Sequence, residues 1–333
     1  IVINKQAFTD TAYNRLVGLE YNLASKDNRF TGKAFYHRSF DQHKLDSGYA
    51  ASGQMTYRVP NLEVDLLVQD IGAHYNPEVG FAPRTNFRRF TPELYYWFYP
   101  KSKWINSHGP GTDVDVIWNQ NNGVTDADFN LWYQVNFQNT SQFFIRIRRD
   151  YGLAFFPFDP TFPADPGDAV NLPTGSSYYW NSVIAYFASN ARKNFFYTLQ
   201  TRSGGYYNGT RVNLDGTLSY RLQPHAVISM NFTFNRIRLP SPYNDADLVL
   251  IGPKFDLTFS RKVFWTTYFQ YNNQIQNLNI NSRLQWRFKP VSDLFLVYTD
   301  NYFAETSSHD EVFYVGQPKL RAIVLKLTYW INL

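Results

Sequence analysis

The chain has 333 residues, 19% of them aromatic (25 Tyr, 29 Phe and 8 Trp), yet its mean hydropathy is slightly polar at -0.41. Its net charge of +5 comes from 32 basic and 27 acidic residues scattered along the sequence, which excludes the basic block of a nucleic-acid binder. The absence of Cys removes disulfides, thiolate metal sites and Cys nucleophiles together, and no apolar stretch approaches the roughly 18 residues of a spanning helix.

A soluble core cannot easily hide so many rings. A barrel wall can, because every second side chain of each strand faces lipid and aromatic girdles sit at both interfaces. The strands are read from alternation with period two in segments of about ten residues. In chain order the segments are 13–23, 62–75, 126–137, 143–155, 195–206, 211–222, 227–237, 249–259, 263–271, 278–288 and 323–333, with weaker candidates between them. The segment 211–222 shows the pattern best: Val212, Leu214, Leu218, Tyr220 and Leu222 fall on one face, and Asn213, Asp215, Thr217, Ser219 and Arg221 on the other. In 278–288, Leu278, Ile280, Leu284, Trp286 and Phe288 alternate with Asn279, Asn281, Arg283, Gln285 and Arg287.

Tight turns are expected at 60–61, 100–103, 139–141, 223–225, 260–262 and 289–293, and longer loops at 76–86, 156–177, 239–247 and 301–320. Short turns on one rim and long loops on the other are the pattern of outer-membrane barrels, whose strand number in bacterial single chains is even. About seventeen strands can be counted from Tyr13 onward, so Ile1 to Asn4 is read as the upper end of an incomplete eighteenth. The expectation is that the natural polypeptide extends upstream through that strand into a periplasmic domain and a signal peptide.

The stretch from His74 through Asn76, Pro77, Glu78, Val79, Gly80, Phe81, Ala82, Pro83 and Arg84, followed by Phe87-Arg88-Arg89-Phe90, resembles a family of Bacteroidota-type outer-membrane proteins. In that family a carbohydrate-binding-module-family-9-like domain precedes a C-terminal barrel domain of unknown function. The similarity continues in 13–19, in Leu172-Pro173-Thr174-Gly175, in 282–298 and in 325–329, in order along the chain. The resemblance implies an outer-membrane barrel with a preceding domain and a carbohydrate association that belongs to the absent domain.

Charged residues on the polar face segregate by sign along the chain. Asp65, Asp113, Asp115, Asp126 and Asp128 are the expected lumen-facing acids; Arg146, Arg148, Arg202, Arg211, Arg221, Arg283, Arg287 and Lys289 are the bases of later strands. Opposed rows of charge would set a transverse field in an open lumen, or pair across a filled one. In 156–177, five prolines forbid a strand, and Asp159, Asp165 and Asp168 lack the ligand spacing of a calcium loop and read as solvated charge. His37, His43, His74, His108, His225 and His309 show no spacing with Ser or acid that marks a nucleophilic triad and no paired metal-ligand spacing. Trp97, Trp104, Trp118, Trp265, Trp286, Tyr329 and Trp330 read as interface anchors.

The sequence therefore predicts an all-β, transmembrane, antiparallel up-and-down β-barrel of about 18 strands in the bacterial outer membrane. One barrel domain covers 1–333, with no enzymatic role, cofactor or metal. The expected role is a channel or accessory pore for polar solutes, oligosaccharides among them. The alternative is a structural or docking subunit of a larger uptake, secretion or assembly complex, with its lumen plugged. Expected partners are outer-membrane lipid, then other outer-membrane or periplasmic proteins and glycan.

Overall fold

The computed structural model describes residues 1–8, 12–42, 48–303 and 318–331. Its strands in chain order are β1 (Val2–Gln6), β2 (Tyr13–Ala24), β3 (Phe30–Asp41), β4 (Tyr49–Val59), β5 (Leu62–Ile71), β6 (Phe87–Tyr96), β7 (Ile105–Asn119), β8 (Gly123–Phe137) and β9 (Gln142–Leu153). There follow β10 (Ser177–Ala188), β11 (Phe195–Tyr206), β12 (Gly209–Leu222), β13 (Ala226–Arg238), β14 (Ala246–Thr258), β15 (Val263–Asn272), β16 (Asn277–Lys289), β17 (Ser292–Phe303) and β18 (Pro318–Thr328). A single turn of 3-10 helix, Pro166–Asp168, is the sole helical element among the described residues.

The chain is thus all-β, and its 18 strands form one sheet in which each strand is hydrogen-bonded to its neighbour in sequence. The pairs run antiparallel, in the up-and-down order from which membrane barrels are built. β2 to β18 are the strands expected from Tyr13 onward, and Ile1 to Asn4 falls in β1, which pairs with β2 from Val2↔Val17 to Gln6↔Tyr13. Most boundaries fall within three residues of expectation, and two strand ends fall well short of it. β5 stops at Ile71, where Gly72 begins the turn that sends the chain into the next loop, and β18 ends at Thr328.

Two compact units make up the chain, one of residues 1–135, 145–157 and 172–182, the other of 136–144, 158–171 and 183–333. Within each, alternation separates a polar from an apolar face. On β12, Leu218 is 37% exposed while the adjacent Ser219 is 4% exposed, its hydroxyl 2.8 Å from that of Ser229. Leu214, Leu284, Trp286, Ile323 and Leu325 share the exposed apolar face with Leu218. In the first unit Leu19, Tyr21, Met55, Val68, Phe90 and Leu94 are exposed in the same way. An uncovered apolar surface of this extent marks a face that meets a membrane or a partner.

Aromatic rings gather at the turn ends of the later strands. Phe259 stacks on Trp265 at 6.3 Å, Trp286 meets Phe288 edge-on at 5.8 Å, and Phe288 stacks on Tyr329 at 6.3 Å.

The alternation of short and long connections holds only in part. Every turn expected to be tight does join an even-numbered strand to the next. After odd-numbered strands the loops at 72–86, 154–176 and 239–245 are long, but those after β7, β11 and β15 are tight. Asn119 closes the first of these, its Oδ1 accepting from the backbone of Asn121 at 3.0 Å and Asn122 at 2.7 Å. The connection at 304–317, His43 and His309 lie outside the described residues.

Candidate functional site: the polar face and its docked loops

In the first unit the polar face is a ladder of charges. Register puts Thr56 beside Asp65, Asp65 beside Glu93 and Glu93 beside Asp113. Thr56 donates to Asp65, Arg58 pairs with Glu63, and Tyr95 donates to Glu93. Arg89 grips Asp115 with Nε at 2.8 Å and Nη2 at 2.5 Å. Asn130 donates to Asp113 at 2.7 Å and to Asp128 at 2.5 Å. Arg148 bridges Asp128 at 2.9 Å and Asp150 at 2.6 Å, and Arg146 lies 4.0 Å from Asp113.

This arrangement corrects the expectation of sign-segregated rows. The acids of β7 and β8 are matched by arginines of β6 and β9, one or two strands away, because a bidentate guanidinium on a neighbouring strand is the nearest partner that repays desolvation of a half-buried carboxylate. Arg58 and Arg89, absent from the expected bases, were recoverable from the same alternation.

Trp132 is 3% exposed, packs against Tyr95 with ring centroids 4.4 Å apart, and lies over Gly111, where a Cβ would collide with its ring. The glycine on β7 makes room for the indole, a requirement legible only once β7 and β8 are paired.

The 72–86 loop is tied down by its own motif. Buried Asn14 donates through Nδ2 to the carbonyl of Asn76 at 2.8 Å and accepts from the backbone of Glu78 at 3.3 Å. The backbone N–H of Asn76 donates to Ser39 Oγ at 3.0 Å, and Lys5 pairs with Glu78 at 2.8 Å. The Gly80 N–H donates to the Pro77 carbonyl at 2.8 Å, closing a turn that leaves Phe81 exposed. Arg84 donates to Asp126 at 2.6 Å and Thr125 at 2.7 Å, with its guanidinium 5.4 Å from the Phe155 ring. The expected acid Asp126 is therefore held by a loop residue. Lys5, Tyr13, Asn14, Asp41, Asn76 and Glu78 line a cavity of about 270 Å³ beneath the loop.

In the second unit the polar face is more neutral. Thr217 donates to Asn231 at 2.7 Å, Asn213 to Asn235 at 3.1 Å and Thr266 to Asp256 at 2.9 Å. Of the expected bases, Arg211 lies 4.5 Å over Tyr206, Arg221 4.8 Å over Phe196 and Arg287 5.8 Å over Phe264. Arg287 also pairs with Asp293 at 3.2 Å, Lys289 donates to Tyr329 at 3.0 Å, Arg283 sits in register with Thr266 and Val297, and Arg202 with Asn213.

The proline-rich loop supplies the second correction. Asp159 is 5% exposed rather than solvated, and accepts from Thr161 N at 2.8 Å and Oγ1 at 2.6 Å, from Val170 N at 2.8 Å and from Asn244 at 2.9 Å. Burial alone would raise its pKa, but those donors outweigh burial and hold the carboxyl below its ordinary value. Gln274 donates to the Phe162 carbonyl at 2.7 Å, and Phe158 meets Tyr207 edge-on at 5.2 Å, so residues 158–171 lie on the connections after β11, β13 and β15. Asp165 caps the 3-10 turn, accepting from Gly167 N at 2.7 Å.

Of the histidines, His37 lies 3.2 Å from Glu20 and His108 bonds Tyr133 at 2.5 Å, neither contact including a hydroxyl nucleophile of Ser or Thr.

Sheet order, face separation and docked loops define an up-and-down antiparallel β-protein with one uncovered apolar face and one charged polar face. Residues 2–249 match the family described as "Domain of unknown function (DUF5916)", and the chain belongs to that family. No curated protein matches it. Among solved structures it is similar to the siderophore receptor PirA from Acinetobacter baumannii, with a TM-score of 0.44 and 9% identity over 89% of this chain. It spans 66% of the length of that receptor chain. It is also similar to the ferric enterobactin receptor PfeA in complex with BCV-L6, with a TM-score of 0.46, 10% identity and coverage of 97% of this chain and 72% of that one. A mutant of PfeA from Pseudomonas aeruginosa gives a TM-score of 0.45 at 10% identity, covering 97% of this chain and 71% of that chain.

Proposed function

We propose that this chain is the wall of an outer-membrane β-barrel of a Gram-negative bacterium and serves as a conduit for polar solutes. The observation that carries the reading is the opposition of two faces on the same strands: uncovered Leu, Phe, Tyr and Trp on one, and an Asp, Glu and Arg ladder on the other. Hydrocarbon accepts the first but leaves unpaired backbone at no edge, so the sheet closes on itself and the second face lines the lumen. Paired wall charges leave a polar surface that conducts small hydrophilic solutes and sorts them by field. Oligosaccharides are the proposed solute class on the strength of the family resemblance.

A second reading is favoured by the docking of residues 158–171 through Asp159: a barrel held shut by its own loop, acting as a docking subunit of a larger complex. Single-channel recording of the purified protein in planar bilayers tests the conduit. Discrete conductance steps are expected. A protein that inserts, as judged by protease protection of its strands, yet passes no current supports the shut subunit instead.

A further inference from the structure

The connections that follow even-numbered strands differ in charge from those that follow odd-numbered strands. In the second unit the turns at 138–141, 189–194, 223–225, 259–262 and 290–291 contain Arg192, Lys193, Arg261 and Lys262 and no Asp or Glu. The described connections after odd-numbered strands there, 158–171, 207–208, 239–245 and 273–276, contain Asp159, Asp165, Asp168 and Asp245 and no Lys or Arg. The first unit has the same bias independently. Its turns at 25–29, 60–61 and 97–104 hold Lys26, Arg29, Lys101 and Lys103 against Asp27 alone, and its 72–86 loop holds Glu78 and Arg84, each already paired.

The turn cations of the second unit take no part in closing their turns. Asn190 Oδ1 accepts from Arg192 N at 2.9 Å, and the Asn190 carbonyl accepts from Lys193 N at 3.1 Å. Ser260 Oγ accepts from Lys262 N and Val263 N, both at 3.1 Å. A short polar residue ahead of the cations thus satisfies the backbone of each turn. The side chains of Arg192, Lys193, Arg261 and Lys262 are left exposed, with no ion pair, hydrogen bond or ring contact among the described residues.

Exposed rings border these cations. Phe195 follows the first turn and stands in register with Tyr220, Phe259 opens the second and stacks on Trp265 at 6.3 Å, and Trp286 is in register with Val263, next to Lys262. Lys193 leads into β11 and Lys262 into β15, four strand spacings or roughly 19 Å apart along the rim. That exceeds twice the screening length of about 8 Å at physiological ionic strength, so the two pairs of cations act separately and no compact anion spans them.

We propose that the turn rim of the second unit contacts the anionic headgroups of the lipid leaflet it faces, each pair of cations meeting its own headgroup while the neighbouring rings lie at headgroup level. The inference rests on the reading that the apolar face lies in lipid. Cations set just beyond a girdle of rings stand where headgroup phosphates lie, and near such a surface each Lys or Arg adds its attraction without converging on one site. No carboxylate in these turns cancels that attraction. The bordering rings favour a lipid surface over a soluble polyanion, which would leave them uncovered.

Electron paramagnetic resonance of the protein in phosphatidylcholine bilayers, with spin-labelled phosphatidylglycerol or spin-labelled phosphatidylcholine added, measures the lipid held at the protein perimeter and tests this. Phosphatidylglycerol should associate about twofold more strongly averaged over the perimeter, since a headgroup beside one cation is favoured about fivefold and most perimeter lipids lie beside none. The preference should disappear in about 1 M salt, where the screening length falls to about 3 Å. Replacing Arg192, Lys193, Arg261 and Lys262 together by Gln should bring it toward parity, and Lys193→Arg with Lys262→Arg should keep it. Equal association of the two lipids, a preference indifferent to salt, a Gln variant that keeps the full preference, or a conservative variant that loses it would overturn the inference. A parent without lipid preference that binds soluble polyglutamate through the same four residues would assign the turns to an acidic soluble partner instead. The spectra also separate the two levels: a protein that immobilises both lipids equally loses only the headgroup contact, and one that immobilises neither loses the barrel reading as well.

Discussion

Asn244 donates through Nδ2 to both the Asp159 carboxylate at 2.9 Å and the Asp168 carbonyl at 2.8 Å, fastening the proline-rich loop to the connection after β13. The Asp159 carboxyl titrates below its ordinary value of 3.8 in the folded protein, since its four donors outweigh burial. A folded value below the unfolded one means that the bonding stabilises the loop above pH 3.8 and is lost as pH falls through the lower folded value. Hydrogen exchange should show the amides of Thr161 and Val170 protected at neutral pH and released in acid. Asp159→Asn should lower that protection at neutral pH by about 1.5–3 kcal/mol, the worth of bonds to a charged acceptor. An acid release unchanged in the variant would show that another group governs the loop.

Leu218 lies in the turn-side half of β12, in register with Tyr197 and Met230 on the apolar face. With that face in hydrocarbon, Leu218→Arg should cost about 2–4 kcal/mol of folding stability in vesicles. Denaturant titration in lipid reads the loss, and a variant as stable as the parent would place this face in water.

Arg283 and Arg287 are on the same face of β16 but differ in surroundings. Arg283 sits in register with Thr266 and Val297, while Arg287 pairs with Asp293 at 3.2 Å. Arg283→Glu should shift the reversal potential toward cations with little change in stability, because a solvated wall charge acts through the field. Arg287→Glu sets a carboxylate beside Asp293, and the repulsion should destabilise the barrel. If the two variants behave alike in both assays, the difference in their partners has no consequence.

Gly111 has no space for a side chain, because Trp132 covers it while packing tilted against Tyr95. Gly111→Ala should displace the indole and cost about 1–3 kcal/mol through overpacking. Tryptophan fluorescence and thermal unfolding would report it. Trp132→Ala in the Gly111→Ala background should recover part of the overpacking cost, and additivity of the two changes would argue against contact between them.

Much of the strand arrangement was legible in the sequence. Alternation is a local property with period two, so the facing of Leu214, Leu218, Leu284 and Trp286 followed from their neighbours alone. β6 and β7 were weaker in sequence because Pro92, Pro110, Gly109 and Gly111 interrupt the pattern, although all four lie within paired strands or on the packed polar side. Loop length was harder to read, since a single Asn119 side chain suffices to close a turn tightly.

What the sequence determined by itself is the class of structure: strand number, strand order and which side chains share a face, all consequences of a repeat that each segment carries independently. Only tertiary structure decided who meets whom. Asp159 and Asn244 are 85 residues apart, Arg84 and Asp126 are 42, and Arg148 and Asp128 are 20. Whether a carboxylate becomes a loop anchor, a rung of a wall or a solvated charge depends on donors brought to it by register and loop path, and neither is encoded in the two-residue period that announced the strands.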